Sequence, residues 1–296
     1  MRISTNIRQS FSNYSWGKYV LHPRYANNKA LLAWIEQVQF KNFETENHQI
    51  KKHSRQRNAL YSFYLEAVQK EVVLKVSDNT QYRKWYRKLN QKLTTPFKNY
   101  SLNAFYGGIG FEENNLNSVK TIAYWTCKAN HRTAKSYLLY EKVISPMSAH
   151  ELYQQIIAQH SNANEIVDAL ATNLATTVKK IHACNMRHGD PHAGNFLLLD
   201  SVPNIAMLTA DTTLQLKFTL IDLDKTTFTR NTVSMLKKIY DLRCLRRFRL
   251  GNIEGINSLQ YYLGRTPSSS EKFTLLFWMR GGFNIYKWFK KSEKRI

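Results

Sequence analysis

The first clear pattern along the chain is a pair of apolar runs rich in β-branched and aromatic side chains. Residues 59–68 (ALYSFYLEAV) and 71–76 (EVVLKV) flank the polar dipeptide Gln69-Lys70. Two such runs around a short polar break predict a β-hairpin, although Gln-Lys is an unusual pair for a two-residue turn. Residues 118–127 and 136–144 have the same character and predict two more strands.

Helical periodicity dominates after residue 145. Ser148 and Glu151 have the spacing of a capping box, in which each side chain satisfies a free backbone N–H at a helix start. Residues 164–185 place apolar side chains on one face and predict a long amphipathic helix. That face consists of Ile166, Val167, Leu170, Leu174, Val178 and Ile181. Residues 81–93 also carry aromatic side chains at roughly helical spacing.

Strands therefore come first and helices later. This order predicts an α+β protein with a sheet-rich N-terminal lobe and a helical C-terminal lobe. We expect residues 41–144 to form the N-lobe and residues 145–296 the C-lobe, whereas the pattern leaves the structure of an N-terminal extension, residues 1–40, open. A chain of 296 residues with 43% hydrophobic residues is long enough for two such lobes.

The chain is strongly basic, since 43 Lys and Arg against 21 Asp and Glu give a formal net charge of +22. Such a surface favours an anionic partner: nucleic acid, an anionic membrane face or a phosphorylated substrate. The last 67 residues, 230–296, hold 15 basic and 4 acidic side chains. At their end, residues 281–296 mix aromatic and basic side chains, which suits either a membrane-surface contact or an ordinary helix packed on the C-lobe.

Three widely spaced cysteines, Cys127, Cys184 and Cys244, form no CxxC pair. They argue against a zinc site or a disulfide framework, favour a reduced cytosolic compartment, and are expected to be small core residues. The N-terminal residues lack the apolar centre of a secretory signal, and no apolar stretch reaches the roughly 18 residues of a membrane span. We therefore expect a soluble or peripheral protein.

The candidate chemistry lies in the polar loop after the long helix, where residues 188–195 read HGDPHAGN. Asp190 precedes Asn195 by five positions, the separation of the base and one magnesium ligand in the catalytic loop of protein-kinase-type phosphotransferases. Asp222, directly after the apolar run 218–221, fits the second magnesium ligand. Lys75, inside an apolar predicted strand, fits the lysine that reaches the phosphates of ATP.

HGDPHAGN followed by LIDLDK resembles the lipopolysaccharide core kinases, the family of the heptose and Kdo kinases, with the closest likeness to the heptose(II) kinases. The resemblance implies a protein-kinase-like two-lobe fold and transfer of the γ-phosphoryl group of ATP to a sugar, foremost a heptose, of the lipopolysaccharide inner core. It also implies ATP and magnesium as cofactors, an anionic glycolipid as acceptor, and a peripheral position on the cytoplasmic face of the inner membrane.

Four further residues are candidates for supporting roles. His188 and His192 are expected to brace the loop rather than to bind a metal, because no cysteine or other histidine completes a ligand set. Asp224 suits a second metal contact or a turn equally well. Asp241, in the sequence YDLR, resembles the helix aspartate that braces the catalytic loop of such enzymes.

The chain also departs from the protein-kinase pattern. Residues 51–57, before the strand of Lys75, contain no glycine, and Gly189 replaces the arginine of the HRD motif. The predicted helix after Lys75 offers no glutamate to pair with it, which leaves Glu112, Glu113 or Glu66 as substitutes. Asn195 and Asp222 are 27 positions apart, more than in protein kinases, so residues 201–217 are expected to form an extra hairpin or loop.

These departures keep two alternatives open. The first is a degenerate kinase scaffold that acts as a basic nucleic-acid- or lipid-binding protein. The second is an intact kinase for a soluble small molecule such as an aminoglycoside. The joint presence of Asp190, Asn195 and Asp222 argues against the first and makes nucleic acid the less favoured partner. The basic surface argues against a cationic acceptor.

Overall fold

By its internal packing the chain divides between Val143 and Ile144 into an N-terminal unit, here called the sheet unit, and a C-terminal unit, here called the helical unit. The computed structural model describes residues 19–38, 49–52, 58–78, 100–129, 132–145, 147–161, 163–199, 201, 204–229, 231–242 and 254–280. The predictions made for residues 81–93, 281–296 and Cys244, and for most of the glycine-free segment, concern residues outside these ranges.

The sheet unit contains a six-stranded antiparallel sheet with the strand order β1-β5-β6-β4-β3-β2. The strands are β1 (Tyr19–Leu21), β2 (Gln49–Lys52), β3 (Asn58–Leu65), β4 (Lys70–Asp78), β5 (Thr121–Ala129) and β6 (Arg132–Glu141). In the described part of this unit, the helices α1 (Lys29–Val38) and α2 (Tyr100–Glu113) and the 3₁₀ turn Pro23–Tyr25 accompany the sheet. All four strands predicted from the apolar runs are present.

The predicted β3–β4 hairpin is present, and its turn has four residues rather than the two of the polar break. Residues 66–69 connect β3 to β4, and Lys70 already belongs to β4. Val68 and Gln69 donate their backbone N–H groups to the carbonyls of Leu65 and Glu66, both at 3.1 Å. Gln69 has φ 53°, so it takes the left-handed conformation that closes the turn.

Residues 19–38, whose structure the sequence pattern left open, form an integral part of the sheet unit. Strand β1 pairs with β5, and α1 buries Leu31 and Ile35 completely in the core of one sheet face. At the centre of that core, the rings of Trp125 and Tyr137 stack with centroids 5.1 Å apart. A strand of three residues is too short to show a period of two, which explains why the pattern did not predict it.

Helix α2 packs against β5 and β6 and approaches the sheet closely. Three of its fourteen residues are buried glycines, and a Cβ at Gly108 would lie 2.5 Å from Thr121 Cγ2. The Thr121 hydroxyl donates to the Phe105 carbonyl at 3.2 Å. The absence of a side chain at Gly108 therefore sets the distance between this helix and the sheet.

The helical unit is built around the long helix that the sequence predicted. Its helices are α3 (Ala149–Gln159), α4 (Ala163–Ala183), α5 (Ala210–Gln215), α6 (Met235–Leu242), α7 (Glu254–Leu263) and α8 (Ser269–Arg280). Helix α4 packs against α3, α5 and α7. In the part of the chain that the structure describes, no helix is long and apolar enough to cross a bilayer.

The predicted capping box at the start of α3 is confirmed. The backbone N–H of Ser148 donates to Glu151 Oε2 at 2.7 Å, and the N–H of Glu151 donates to Ser148 Oγ at 3.3 Å. Two small antiparallel sheets complete the unit. They pair β7 (Met186–Arg187) with β10 (Thr227–Phe228), and β8 (Phe196–Leu198) with β9 (Phe218–Leu220).

The expected extra hairpin or loop over residues 201–217 is in fact largely helical. A 3₁₀ turn, Ile205–Met207, precedes α5, whose start is capped by Thr209 and Thr212. The side-chain amide of Asn173, on α4, donates to the carbonyls of residues 213, 214 and 216 and anchors the end of α5. Six residues give too short a window for a helical period to be read from sequence.

Replacement of Gly108 by alanine should destabilise the sheet unit, because its methyl group overlaps Thr121. We expect Gly108→Ala to lower the free energy of unfolding by about 1–3 kcal/mol in urea denaturation. Thr121→Ser removes the clashing Cγ2 and keeps the hydroxyl. It should therefore raise the free energy of unfolding when added to Gly108→Ala, whereas in the wild-type protein, where nothing clashes, the same substitution should lower it. Equal stability of Gly108→Ala and wild type would contradict the close approach.

Candidate active site

The predicted catalytic loop, residues 188–195, follows α4 and β7 directly, and its second residue occupies a position where only glycine fits. Gly189 has φ 80°, and a Cβ there would lie 2.6 Å from the backbone oxygen of Lys225. Both features exclude a side chain at this position. The glycine that stands in place of the HRD arginine is therefore required by the close packing of residue 225 against the loop.

Asp190 and Asn195 are joined through the backbone of the loop. The Asp190 carbonyl accepts hydrogen bonds from the Asn195 side-chain Nδ2 at 2.9 Å and from the His192 N–H at 2.8 Å. The Asn195 N–H donates to the His192 carbonyl at 2.7 Å, within the 3₁₀ turn Ala193–Asn195. These bonds hold the buried Asn195 amide through its nitrogen, so its oxygen Oδ1 takes no part in them.

The peptide of Ile221 connects this loop to Asp222. Its N–H donates to the Asn195 carbonyl at 3.0 Å, and its carbonyl accepts from His188 Nε2 at 3.0 Å. Strand β9 ends one residue earlier, and Asp222 turns the chain with φ 56° into the 3₁₀ turn Leu223–Lys225. Asp190, Asn195 and Asp222, which are up to 32 positions apart in sequence, are thus brought together in the helical unit.

His188 is a buried neutral imidazole. Its Nε2–H donates to Ile221, and its Nδ1 faces the Asp190 N–H at 3.4 Å, which fits a ring protonated at Nε2 only. Burial lowers the pKa of His188 below its ordinary value, against the opposing effects of the Ile221 hydrogen bond and the carboxylates nearby. His188 thus lies between two segments of the site, and its bracing role stays a prediction.

Asp241, on α6, is fully buried and holds the start of the loop. Arg187 Nη2 donates to Oδ1 at 2.6 Å, His182 Nε2 donates to Oδ2 at 3.1 Å, and the Gly189 N–H lies 3.4 Å from Oδ2. Burial alone would raise the pKa of Asp241, but the hydrogen bonds from His182 and Arg187 lower it overall. The carboxylate is therefore ionised and links α6 to both sides of the loop entrance.

Tyr262 extends this buried network to α7. Its hydroxyl lies 2.7 Å from His182 Nδ1. Burial and the charge of Asp241 raise the pKa of Tyr262, so the phenol keeps its proton and can donate it to the imidazole. Neither His182, Arg187 nor Tyr262 was predicted from sequence, since only their contacts with Asp241 or with each other identify them.

Lys225 is a fourth residue of the site that was not predicted from sequence. Its ammonium forms an ion pair with Asp190 Oδ2. Burial would lower the pKa of Lys225, but the hydrogen bond to Asp190 and that carboxylate's charge raise it overall, so the side chain is cationic. The available signal was the lysine that ends LIDLDK.

The two remaining support candidates lie in the short turns of the same loops. His192 begins the 3₁₀ turn of Asn195, and its ring is close enough that a Cβ at Gly194 would lie 3.2 Å away. Asp224 is half-buried within the turn that follows Asp222. Within the described ranges, no group of three or more His, Cys, Asp or Glu side chains could hold a metal ion by itself.

Lys75 belongs to the sheet unit, in the central strand β4 between Leu60 and Leu138. It is 7% exposed, and strand alternation puts it on the face opposite to the buried Leu74. Lysine is rarely this buried in an apolar strand unless its ammonium is paired with an anionic or hydrogen-bonding group.

Glu112 and Glu66 are two of the three glutamates considered as partners of Lys75. The first already binds other cationic side chains, and the second lies exposed in a turn. Glu112 forms ion pairs with Arg24 and with Lys120 at 3.8 Å, and its carboxylate lies 3.3 Å from His22 Nε2. Glu66 is exposed in the β3–β4 turn. The helix α2 thus uses its Glu112 carboxylate to bind the N-terminal segment.

Comparison with known proteins adds a family and a fold. The family model described as lipopolysaccharide kinase (Kdo/WaaP) family matches residues 68–258, well over half of the chain. A search of the curated proteins gives no match. A solved structure described as WaaP in complex with acyl carrier protein is similar over 94% of this chain and 98% of that chain, with a TM-score of 0.52 and 14% sequence identity. This likeness confirms the predicted α+β, protein-kinase-like fold.

The buried neutral His188 should make stability depend on pH. The unfolded chain protonates this histidine below about pH 6.5, whereas its lowered pKa keeps it neutral in the folded state. The free energy of unfolding should therefore fall as the pH decreases from about 7.5 to about 5.5. His188→Gln, which keeps a donor for the Ile221 carbonyl, should reduce this slope in denaturation series.

A residual slope is expected in His188→Gln, because burial also lowers the pKa of His22. An unchanged slope in the variant would show that His188 is not the titrating group.

Proposed function

Because the chain belongs to the lipopolysaccharide kinase (Kdo/WaaP) family, we propose that it transfers the γ-phosphoryl group of ATP to a heptose of the lipopolysaccharide inner core. Family membership and the WaaP-like fold make it a phosphotransferase of lipopolysaccharide core biosynthesis. ATP as the donor and heptose as the accepting sugar are the further content of the proposal. The heptose follows from the resemblance of HGDPHAGN and LIDLDK to the heptose kinases.

The observation that carries the proposal is the joining of Asp190, Asn195 and Asp222 through the Ile221 peptide. Its N–H and carbonyl bond to residues at the two ends of the loop, Asn195 and His188. The arrangement therefore fixes the strand end that carries Asp222 against the loop that carries Asp190. A turn that served no chemistry would have no need for a buried amide and two carboxylates at this spacing.

Asp190 is proposed as the general base. Its side chain is 30% exposed, so an incoming sugar hydroxyl can reach it. The hydrogen bonds that its carbonyl accepts from the His192 N–H and the Asn195 side-chain amide hold the residue in place. Its carboxylate would orient the hydroxyl and take its proton as the new phosphate ester forms.

Asn195 Oδ1 and the Asp222 carboxylate are proposed to hold magnesium. Both are hard oxygen donors of the kind that this ion takes, and ATP phosphates and water would supply its other ligands. When bound, the ion supplies positive charge that neutralises the phosphates during transfer. The hydrogen bond from Nδ2 to Asp190 directs the amide so that its oxygen remains the ligand atom.

Lys75 is proposed to bind the phosphates of ATP. An ammonium buried in the sheet unit at 7% exposure would make charge-assisted bonds to phosphate oxygens that water weakens little. His192, Asp224 and Asp241 are proposed to support the loops from the positions described above, Asp241 through its ion pair with Arg187.

The acceptor is proposed to be the anionic glycolipid itself, at the cytoplasmic face of the inner membrane, to which the protein would bind peripherally. The supporting observation is the net charge of +22, concentrated toward the C-terminal end. Kdo carboxylates and lipid A phosphates on the acceptor would be attracted by this charge, and anionic headgroups likewise. The same charge would repel a cationic soluble acceptor.

Asp190→Asn should abolish phosphoryl transfer and leave the fold intact, because an amide cannot accept the hydroxyl proton. With labelled ATP, magnesium and lipopolysaccharide lacking core phosphate, we expect turnover to drop by at least about 10²-fold. Asp211→Asn, at an exposed aspartate on α5, is the matched control and should retain activity. Full activity of Asp190→Asn would show that another group is the base.

Lys75→Ala should weaken the use of ATP while the sheet stays folded. Loss of a charge-assisted bond of about 1.5–3 kcal/mol corresponds to roughly a tenfold to hundredfold lower kcat/KM for ATP. Lys70→Ala, in the same strand, removes a lysine that pairs with Glu141 at 2.8 Å on the surface. It should change kcat/KM for ATP little, and equal effects of the two variants would remove Lys75 from the nucleotide site.

A further inference from the structure

Lys225 contacts the proposed base from outside the catalytic loop. It closes the 3₁₀ turn that follows Asp222, 35 positions after Asp190, and its ammonium pairs with Asp190 Oδ2. The backbone is in contact as well, because a Cβ at Gly189 would lie 2.6 Å from Lys225 O. The lysine is therefore held beside the base by both its main chain and its side chain.

The stability of the fold does not explain this pair. Lys225 is 54% exposed and Asp190 30% exposed, and ion pairs at such positions contribute about 0–1 kcal/mol. The pair also occupies Oδ2, one of the two oxygens that an acceptor hydroxyl would need. A contact that adds little stability and covers the base is best explained by the reaction.

The charge environment favours a third, anionic group at this lysine. The negative charges of the Asp190 and Asp222 carboxylates raise the pKa of Lys225 and so favour its protonated form. An ammonium has three N–H donors, and the bond to Asp190 uses one of them. The other donors can bind phosphoryl oxygens, where charge redistributes during transfer.

We propose that Lys225 is a catalytic residue that binds the non-bridging oxygens of the phosphoryl group while it moves to the acceptor. The proposal rests on the proposed function. When the acceptor binds, the Lys225 ammonium releases its hydrogen bond to Asp190 Oδ2, which then accepts one from the sugar hydroxyl. The ammonium instead donates hydrogen bonds to the phosphoryl group. The bond from the acceptor oxygen to the γ-phosphorus forms, and the bond from that phosphorus to the β,γ-bridging oxygen breaks. ADP leaves with that electron pair, the hydroxyl proton passes to Asp190, and Lys225 keeps its protons.

The first test separates kcat from KM in Lys225→Met. Loss of an interaction made mainly with the moving phosphoryl group should lower kcat by about 10²–10³-fold and change KM for ATP and for lipopolysaccharide by less than about threefold. Lys225→Arg keeps the cation and should recover at least about tenfold of the loss. Lys180→Met removes an exposed lysine of α4 and the same unit of charge, and should leave kcat unchanged.

The second test asks whether Lys225 acts on the phosphoryl group or only through Asp190. ATPγS replaces one non-bridging oxygen of the transferred group by sulfur, which is a poorer hydrogen-bond acceptor. The ratio of kcat with ATP to kcat with ATPγS should be smaller in Lys225→Met than in the wild type, because the variant lacks the ammonium whose hydrogen bond the sulfur weakens. An unchanged ratio would overturn the phosphoryl contact, even if kcat falls.

Failure of the proposed function has a different signature. Full kcat in Lys225→Met beside an inactive Asp190→Asn would overturn the role of Lys225 and leave the kinase assignment standing. A folded wild-type protein that transfers no label from ATP to lipopolysaccharide would overturn both.

Discussion

The buried carboxylate of Asp241 is the constraint on which the candidate site depends. A fully buried charge is tolerated only when hydrogen-bonded partners surround it. Arg187 and His182, which both precede the loop, supply them, and the Gly189 N–H lies 3.4 Å from Oδ2, the oxygen that His182 binds. Since these partners cannot leave without exposing an unpaired buried charge, helix α6 fixes where the predicted catalytic loop begins.

Each later part of the site is positioned from that entrance. His188 follows Arg187 and binds the Ile221 carbonyl, while the N–H of the same residue, Ile221, donates to the Asn195 carbonyl at the end of the loop. The strand end that carries Asp222 is therefore held by a neutral imidazole and a main-chain bond rather than by charges. Charge is left for the groups proposed to act on substrate: Asp190, Asp222 and Lys225. Such a division suits phosphoryl transfer, which relies on positioning and electrostatics.

Local patterns in the sequence predicted the elements that local forces determine. The capping box of Ser148, the long helix α4 and the β3–β4 hairpin could all be predicted from residues that are close together in sequence. Strand β1 and helix α5 were not, because their stability comes from β5 and from Asn173, more than 35 residues away in sequence. The spacing of Asp190 and Asn195 predicted a pair of residues that a hydrogen bond does join in the structure. The pair between Asp190 and Lys225 could not be predicted, because no periodicity relates residues 35 positions apart.

The identity of the phosphorylated group is the most direct test of the proposed chemistry. Lipopolysaccharide that lacks core phosphate would be incubated with the protein, ATP and magnesium, and its core oligosaccharide analysed by tandem mass spectrometry. We predict a gain of one phosphoryl group on a heptose-containing fragment, dependent on ATP. A core of unchanged mass, or a phosphoryl group confined to the Kdo fragment, would contradict the assignment of this chain as a heptose kinase.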